Sequence, residues 1–267
     1  MTPTIQVTDG IVLDSWQHGE SDLIVTLFCR EGGRSTAIAK GARKSLRRFV
    51  NKLERFSFLR VSLRQRNPSA LAFLEEAELH ASFIHLRDDI RRYTAASVII
   101  ELALLATREG ESDERSYLLL LWSLRQLDTT APHLLVVMLF LLRFLDYIGY
   151  RPQLSHCFSC GEKIGLQQRS GTFAFSIVSG GLLCPDCTGP TRQSSQKLSL
   201  ATVLLLQPCQ DAPYSQLQGL KFPDHNLYEA LNVLHLYSRQ VLGRDIISWA
   251  MLRTTLHDRV IDWSPQR

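Results

Sequence analysis

The spacing of apolar and polar positions changes period twice along the chain. Ile5 to Trp16, Asp22 to Cys29, Arg34 to Lys40, Leu53 to Arg66 and Leu71 to Leu79 alternate or are rich in β-branched and aromatic residues, with turn residues such as His18-Gly19 and Gly32-Gly33 between them. Five short strands of this kind suit a small barrel. From about Arg87 the repeat becomes helical, with Ile90, Tyr93, Val98, Leu102 and Leu105 in phase until Gly110. Ser116 to Leu127 and Pro132 to Ile148 are apolar on nearly every side, which predicts helices in the middle of a domain. Pro132 suits a helix start, and the aromatics of both segments are expected in the core.

Between Tyr150 and Pro190 the helical period disappears and Gly, Ser, Cys and Pro become frequent. Leu198 to Leu206, Leu227 to Leu242 and Ile247 to Leu256 then return to helical spacing. The chain therefore reads as an α+β protein: a β-barrel over 1–80, a helical domain in two parts over 81–150 and 191–267, and a separate small cysteine-rich module inserted over 151–190.

The 267 residues, 45% of them hydrophobic, are enough for one large or two modest globular domains. No apolar run approaches the roughly 18 to 20 residues that span a bilayer, since Leu134 to Leu142 is followed by Arg143 and Asp146. The start MTPTIQVTDG lacks the basic and apolar regions of a secretion signal. A cytoplasmic location is expected, which argues against disulfides.

Four of the six cysteines form two Cys-x-x-Cys pairs, Cys157 with Cys160 and Cys184 with Cys187, separated by the 23 residues from Gly161 to Leu183. Two cysteines three apart on a tight turn present both sulfurs to one cation, and two such knuckles complete a tetrahedral thiolate shell. Gly161, Pro185 and a hairpin around Gly180-Gly181 fit a zinc ribbon. One structural Zn2+ is the expected cofactor; four thiolates leave no open position for catalysis, and iron is also compatible with such a shell. His156 reads as a solvated loop residue, and Cys29 and Cys209 as buried small apolar residues.

The net charge of +4 is too mild to name a partner, but it is unevenly spread. From Arg30 to Arg66 there are twelve basic residues against Glu31 and Glu54, a local +10 that leaves −6 for the rest of the chain. Such a segment favours polyanions. In a strand from Arg55 to Arg66, Leu59, Val61 and Leu63 would face a core. Phe56, Phe58, Arg60, Arg64 and Arg66 would face the other way. That mixed face suits an oligonucleotide-binding barrel that stacks bases while tracking the backbone, unless the two phenylalanines pack beneath a neighbouring element.

Gly10 to Asp14 with Gly19 to Leu23, the run Lys40-Gly-Ala-Arg-Lys44 continuing to Arg48-Phe49, the step Gly149-Tyr150-Arg151-Pro152 and the two cysteine pairs, taken together, resemble the RecO family of bacterial DNA repair proteins. Where that family often has Gln-Pro-Phe after the basic loop, this chain has Glu54-Arg55-Phe56. The resemblance implies an amino-terminal oligonucleotide-binding (OB) fold, a helical domain interrupted by a zinc ribbon, and no catalysed covalent chemistry. It implies binding of single- and double-stranded DNA, strand annealing, and work with RecR to load RecA onto DNA coated by single-strand-binding protein, in the cytoplasm at the nucleoid. DNA contacts carry over to Lys40, Arg43, Lys44, Arg47 and Arg48, and the strand face adds Arg60, Arg64 and Arg66.

A zinc-ribbon enzyme acting on nucleic acid is the competing class. His18-Gly19-Glu20 matches the His-x-Glu half of zinc deaminases, but neither cysteine pair is preceded by the proline of their second half. No phosphate-binding Gly-x-x-x-x-Gly-Lys loop or Gly-x-Ser-x-Gly elbow occurs. A zinc-ribbon transcription accessory protein would share the basic surface and the ribbon alone.

Overall fold

The computed structural model describes residues 4–65, 71–165, 172–188 and 195–255. Five strands close into a barrel in the order β1-β2-β3-β5-β4: β1 (Thr4–His18), β2 (Asp22–Cys29), β3 (Gly33–Ala39), β4 (Phe58–Gln65) and β5 (Ala72–Ala81). All neighbours are antiparallel except β3 and β5. This is an OB-type barrel. Alternation puts Val25, Leu27, Ala37, Leu59, Val61, Leu63 and Leu74 into one apolar interior.

The predicted fourth strand began five residues too early. Leu53 is drawn into the barrel interior, and Asn51 and Phe56 take positive φ values of 54° and 76°, which extended backbone does not allow. The strand starts only at Phe58, and the chain before it forms a loop over one end of the barrel.

The helical part comprises α1 (His85–Asp88), α2 (Ile90–Ala106), α3 (Glu114–Leu127), α4 (His133–Tyr147), α5 (Leu200–Asp211), α6 (Tyr214–Leu217), α7 (Asp224–Leu242) and α8 (Ile247–Thr254). Asp89 and Asp113 accept backbone N–H bonds at the starts of α2 and α3, the expected role of a carboxylate at a helix amino terminus. Helix α4 is central, buried from Leu134 through Leu145 and packed on α2, α3, α5 and α7. Helix α3, read as apolar all round, keeps Glu114, Arg115, Leu118 and Arg125 exposed and lies at the periphery.

The cysteine-rich segment forms a sheet ordered β6-β8-β7-β9, from β6 (Gln153–Cys157), β7 (Thr172–Ser176), β8 (Gly181–Leu183) and β9 (Ser195–Ser199). It is not a freestanding module. Leu154, Phe173, Phe175 and Leu182 belong to the same hydrophobic cluster as the helices. Strand β9, beyond the expected limit at 190, runs directly into α5. Glu229 of α7 accepts bonds from the Ser199 N–H (2.8 Å) and hydroxyl (2.6 Å), pinning that junction. Gln207 and Gln210 of α5 donate to the carbonyls of Leu154, Ile164 and Pro152.

The loop between α2 and α3 lies along β3. Gly110 N–H donates to the Arg34 carbonyl at 3.1 Å, and Arg34 reaches the Leu104 carbonyl at 2.7 Å. Gly33, at φ +65°, has the backbone of Glu111 where a side chain would begin, so only glycine fits there.

Candidate nucleic-acid interface and metal centre

The twelve cations of the basic segment divide into two groups once folded. Several face partners that offset their charge or fix them in place. Arg30 pairs with Glu114 of α3 at 2.6 Å and Arg34 is held in the seam just described. Arg60 pairs with Asp9 at 3.1 Å, Arg64 with Glu75 at 2.6 Å, and Arg55 lies 3.8 Å from Asp14 while donating to the Leu13 carbonyl. Arg66 lies outside the described residues.

The second group is Lys40, Arg43, Lys44, Arg47, Arg48 and Lys52, six basic residues in a stretch without an acid. Among the described residues none of them pairs with a carboxylate. Lys40, Arg43, Lys44, Arg47 and Arg48 are exposed.

This loop is built, not slack. Ala42, Phe49 and Leu53 plug the barrel interior, so the cations between them are presented outward. The Arg48 guanidinium lies 4.4 Å from the Phe49 ring centre and donates to the Lys40 carbonyl at 2.6 Å. Lys52 donates to the Arg48 and Ala77 carbonyls, at 3.0 and 2.8 Å. Arg43 is tied to the β1–β2 turn, its N–H donating to the Ser21 carbonyl and its side chain to that of Glu20. A cationic surface whose conformation is already fixed loses little entropy when phosphates bind.

Asp22 anchors the loop entrance, a role set by Gly41, nineteen positions away, and so not marked by its neighbours in sequence. Its carboxylate accepts the Gly41 N–H at 2.8 Å and the Ser21 hydroxyl at 3.0 Å, and these bonds hold its pKa below the ordinary value. A lowered pKa means the anchor is complete above the usual carboxylate range and is lost as pH falls through the lower, folded value. Asp22→Ala is expected to speed hydrogen exchange at the Gly41 amide at neutral pH. Equal exchange in both proteins would remove Asp22 from this role.

Phe56 and Phe58 do not form a stacking surface on the barrel. Phe56 is 1% exposed and meets the Tyr93 ring edge-on at 5.4 Å. Phe58 packs beside His80 at 4.9 Å, with the Arg125 guanidinium 5.8 Å from its ring centre. The helical part covers this end of the barrel, and burial of two large rings in that seam outweighs their exposure to solvent.

The four cysteines converge. The Sγ atoms of Cys157, Cys160, Cys184 and Cys187 all lie within 4.8 Å of one another, and those of Cys160 and Cys184 are 3.8 Å apart. Tetrahedral bonds of about 2.3 Å put neighbouring sulfurs about 3.8 Å apart, so the cluster fits a zinc ion. The knuckle turn closes through Gly161 N–H to the Cys157 carbonyl at 2.9 Å, with Gly161 at φ +76°. Burial at Cys157, which raises a thiol, is outweighed by N–H groups of Cys160, Cys184 and Ser159 that bring it down to about 6, whereas burial and the neighbouring thiols push Cys184 up to about 12, so the cluster favours a single thiolate until a cation offsets the charge of the others.

His156 is exposed and hydrogen-bonds with the Ser155 hydroxyl; it adds no ligand. His18 and Glu20 flank Gly19 in the β1–β2 turn, and neither joins the cysteine cluster, so the deaminase arrangement does not form. Cys29 and Cys209 are buried, with thiols pushed up by burial to about 12 and about 11.

An OB-type barrel with a cationic loop is thus joined to a helical domain that shares its core with a four-cysteine ribbon. Residues 1–83 match the family model described as Recombination protein O N terminal, and residues 87–250 match Recombination protein O C terminal. The chain is 36% identical over 216 residues to the DNA repair protein RecO of Syntrophobacter fumaroxidans, covering 80% of this chain and 84% of that one. It is 33% identical over 253 residues to the DNA repair protein RecO of a Roseiflexus species, covering 94% and 86%. The corresponding protein of an Anaeromyxobacter species is 34% identical over 235 residues, covering 88% and 91%. The chain belongs to the RecO family, whose role lies in DNA repair and recombination as a mediator, not as a known catalyst. No helix among the described residues is long and apolar enough to cross a membrane.

Proposed function

We propose that this chain binds single- and double-stranded DNA, anneals complementary strands, and works with RecR to load RecA onto DNA coated by single-strand-binding protein at the nucleoid. The observation that carries this reading is the fixed loop from Lys40 to Lys52, whose cations form no ion pair with a carboxylate among the described residues. Two phosphate backbones repel, and a compact cationic surface screens that repulsion without consuming a nucleotide. Lys40, Arg43, Lys44, Arg47 and Arg48 are the principal phosphate contacts. Arg60 and Arg64 contribute less, because Asp9 and Glu75 offset them. The family relationship supports the repair role and suggests the three protein partners.

The cysteine cluster holds one zinc ion in this reading. When bound, the ion cross-links the two knuckles through a closed thiolate shell, and the chain's own contribution is to brace the helical domain.

The double variant Arg47→Glu/Arg48→Glu is expected to weaken both single-strand and duplex binding. Each phosphate contact contributes a slope of about 0.7 on single strands and about 0.9 on duplex DNA to the fall of affinity with salt. Loss of two contacts should therefore flatten the slope by about 1.4 and about 1.8 respectively, and slow annealing of complementary oligonucleotides. An unchanged affinity and slope would take the loop out of the interface.

A further inference from the structure

The two halves of the cysteine cluster differ in how far solvent reaches them. In the first knuckle every residue from Phe158 to Lys163 is exposed, Cys160 among them. Cys157 and Cys184 are buried, and Cys187 is half-buried. The four sulfurs nonetheless lie within 4.8 Å of one another, and the exposed Sγ of Cys160 is 3.8 Å from the buried Sγ of Cys184. A small movement of the exposed knuckle would join that pair. The other two cysteines are out of reach, Cys29 in the barrel interior and Cys209 among the helices.

Opening the cluster has consequences for one part of the molecule only. Cys157 and Cys184 belong to the same hydrophobic cluster as the helices, together with Leu154, Phe175 and Leu182. The barrel interior is a separate cluster, and there Ala42, Phe49 and Leu53 seat the basic loop. Loosening the knuckles therefore reaches helix packing and leaves the cationic loop in place.

We infer that the cysteine cluster is a peroxide-sensitive switch, in which Cys160 reacts first and Cys184 resolves it. A cysteine that ligates a metal is deprotonated, and the thiolate is the form that peroxide oxidises. Cys160 Sγ attacks one oxygen of hydrogen peroxide: the S–O bond forms, the O–O bond breaks, and hydroxide leaves behind a sulfenic acid. Cys184 Sγ then attacks the Cys160 sulfur, forming the S–S bond and expelling a second hydroxide. The two sulfurs give up two electrons, which the peroxide takes. Only Cys157 and Cys187 then keep thiolates, too few to close a zinc shell. A dithiol returns the two electrons, and added zinc restores the cluster. In the oxidised state the chain keeps its hold on DNA while its helical part loosens. The switch rests on both parts of the reading above, the metal and the DNA-binding loop.

The test uses the full chain as purified with its zinc, and hydrogen peroxide as the probe. Peroxide is expected to release the zinc, read with a chromogenic chelator, in step with the loss of two of the six thiols. Dimedone added with the peroxide should label Cys160, and without it mass spectrometry should find the Cys160–Cys184 disulfide. The Tm of the helical part should fall towards that of the metal-free protein, while affinity for an oligonucleotide and its salt slope stay unchanged. Dithiothreitol with zinc should reverse every effect. Cys160→His offers a ring nitrogen in place of the reactive sulfur, so it should hold its zinc through the same treatment. Zinc retained by the wild type, label on another cysteine, oxidation that no dithiol reverses, a parallel loss of DNA affinity, or zinc released as fast from Cys160→His would each overturn the switch. Should Cys160→His purify without zinc, the position of the label in the wild type decides. A freshly purified chain without zinc, or without DNA affinity before oxidation, would instead overturn the reading on which the switch rests.

Discussion

Cys184→Ser is expected to cut the metal content of freshly purified protein from about one zinc per chain to a small fraction and to lower the stability of the helical part as well. The second effect follows from where the cluster sits. Cys157 and Cys184 are buried in the same hydrophobic cluster as α4 and α7, and β9 continues into α5, so loosening the knuckles loosens helix packing. Structural zinc contributes on the order of 10 kcal/mol to folding of small peptides; because the cluster shares a core with α4 and α7, its loss here should cost about 3 kcal/mol or more. That corresponds to a fall of about 6 to 12 °C in Tm, readable by calorimetry beside metal analysis. A variant that loses its metal yet melts with the wild type would confine the ion to the ribbon.

Arg143→Ala should destabilise the chain by a similar amount for a different reason. Arg143 is 4% exposed, in the middle of the apolar helix α4. Its guanidinium donates to the Cys209 carbonyl at 3.0 Å and to that of Ala212, and lies 5.1 Å from the Tyr214 ring centre. These carbonyls lie at the carboxy-terminal end of α5, where no helical N–H follows to meet them and position 213, four after Cys209, is a proline without one. A cation there satisfies orphan acceptors and meets the negative end of the helix dipole. Removal leaves two carbonyls short of a donor, at about 1 to 3 kcal/mol each, and removes a packed stem. The expected loss is about 3 kcal/mol or more in urea unfolding, with Arg143→Met recovering the packing part only. An Arg143→Ala midpoint equal to that of the wild type would exclude this cap.

Both effects depend on residues that the sequence presents plainly but explains unequally. The two Cys-x-x-Cys pairs state their chemistry in their own spacing, because the geometry of a knuckle is local. Arg143 reads in sequence only as the residue that stops an apolar run; its partners lie more than sixty positions away. The same division runs through the barrel. The second strand was legible to its ends at Asp22 and Cys29, since β-branched and aromatic residues between turn signals need no distant partner to be recognised. The fourth was not, because Phe49, Leu53 and Phe56 are apolar for two different burial sites, the barrel interior and the seam with α2.

The sequence by itself determined the α+β character, the two thiolate knuckles and the concentration of positive charge between Arg30 and Arg66. Each of these is a property of composition or of spacing over a few residues. Only the tertiary structure decided which cations stay unneutralised, because Asp9, Glu75 and Glu114 reach their arginines from other strands and from a helix. It also decided which aromatics meet solvent. Closing the barrel puts every outward side chain on one continuous surface, and the helical part covers one end of it, enclosing Phe56 and leaving Trp16 in the open.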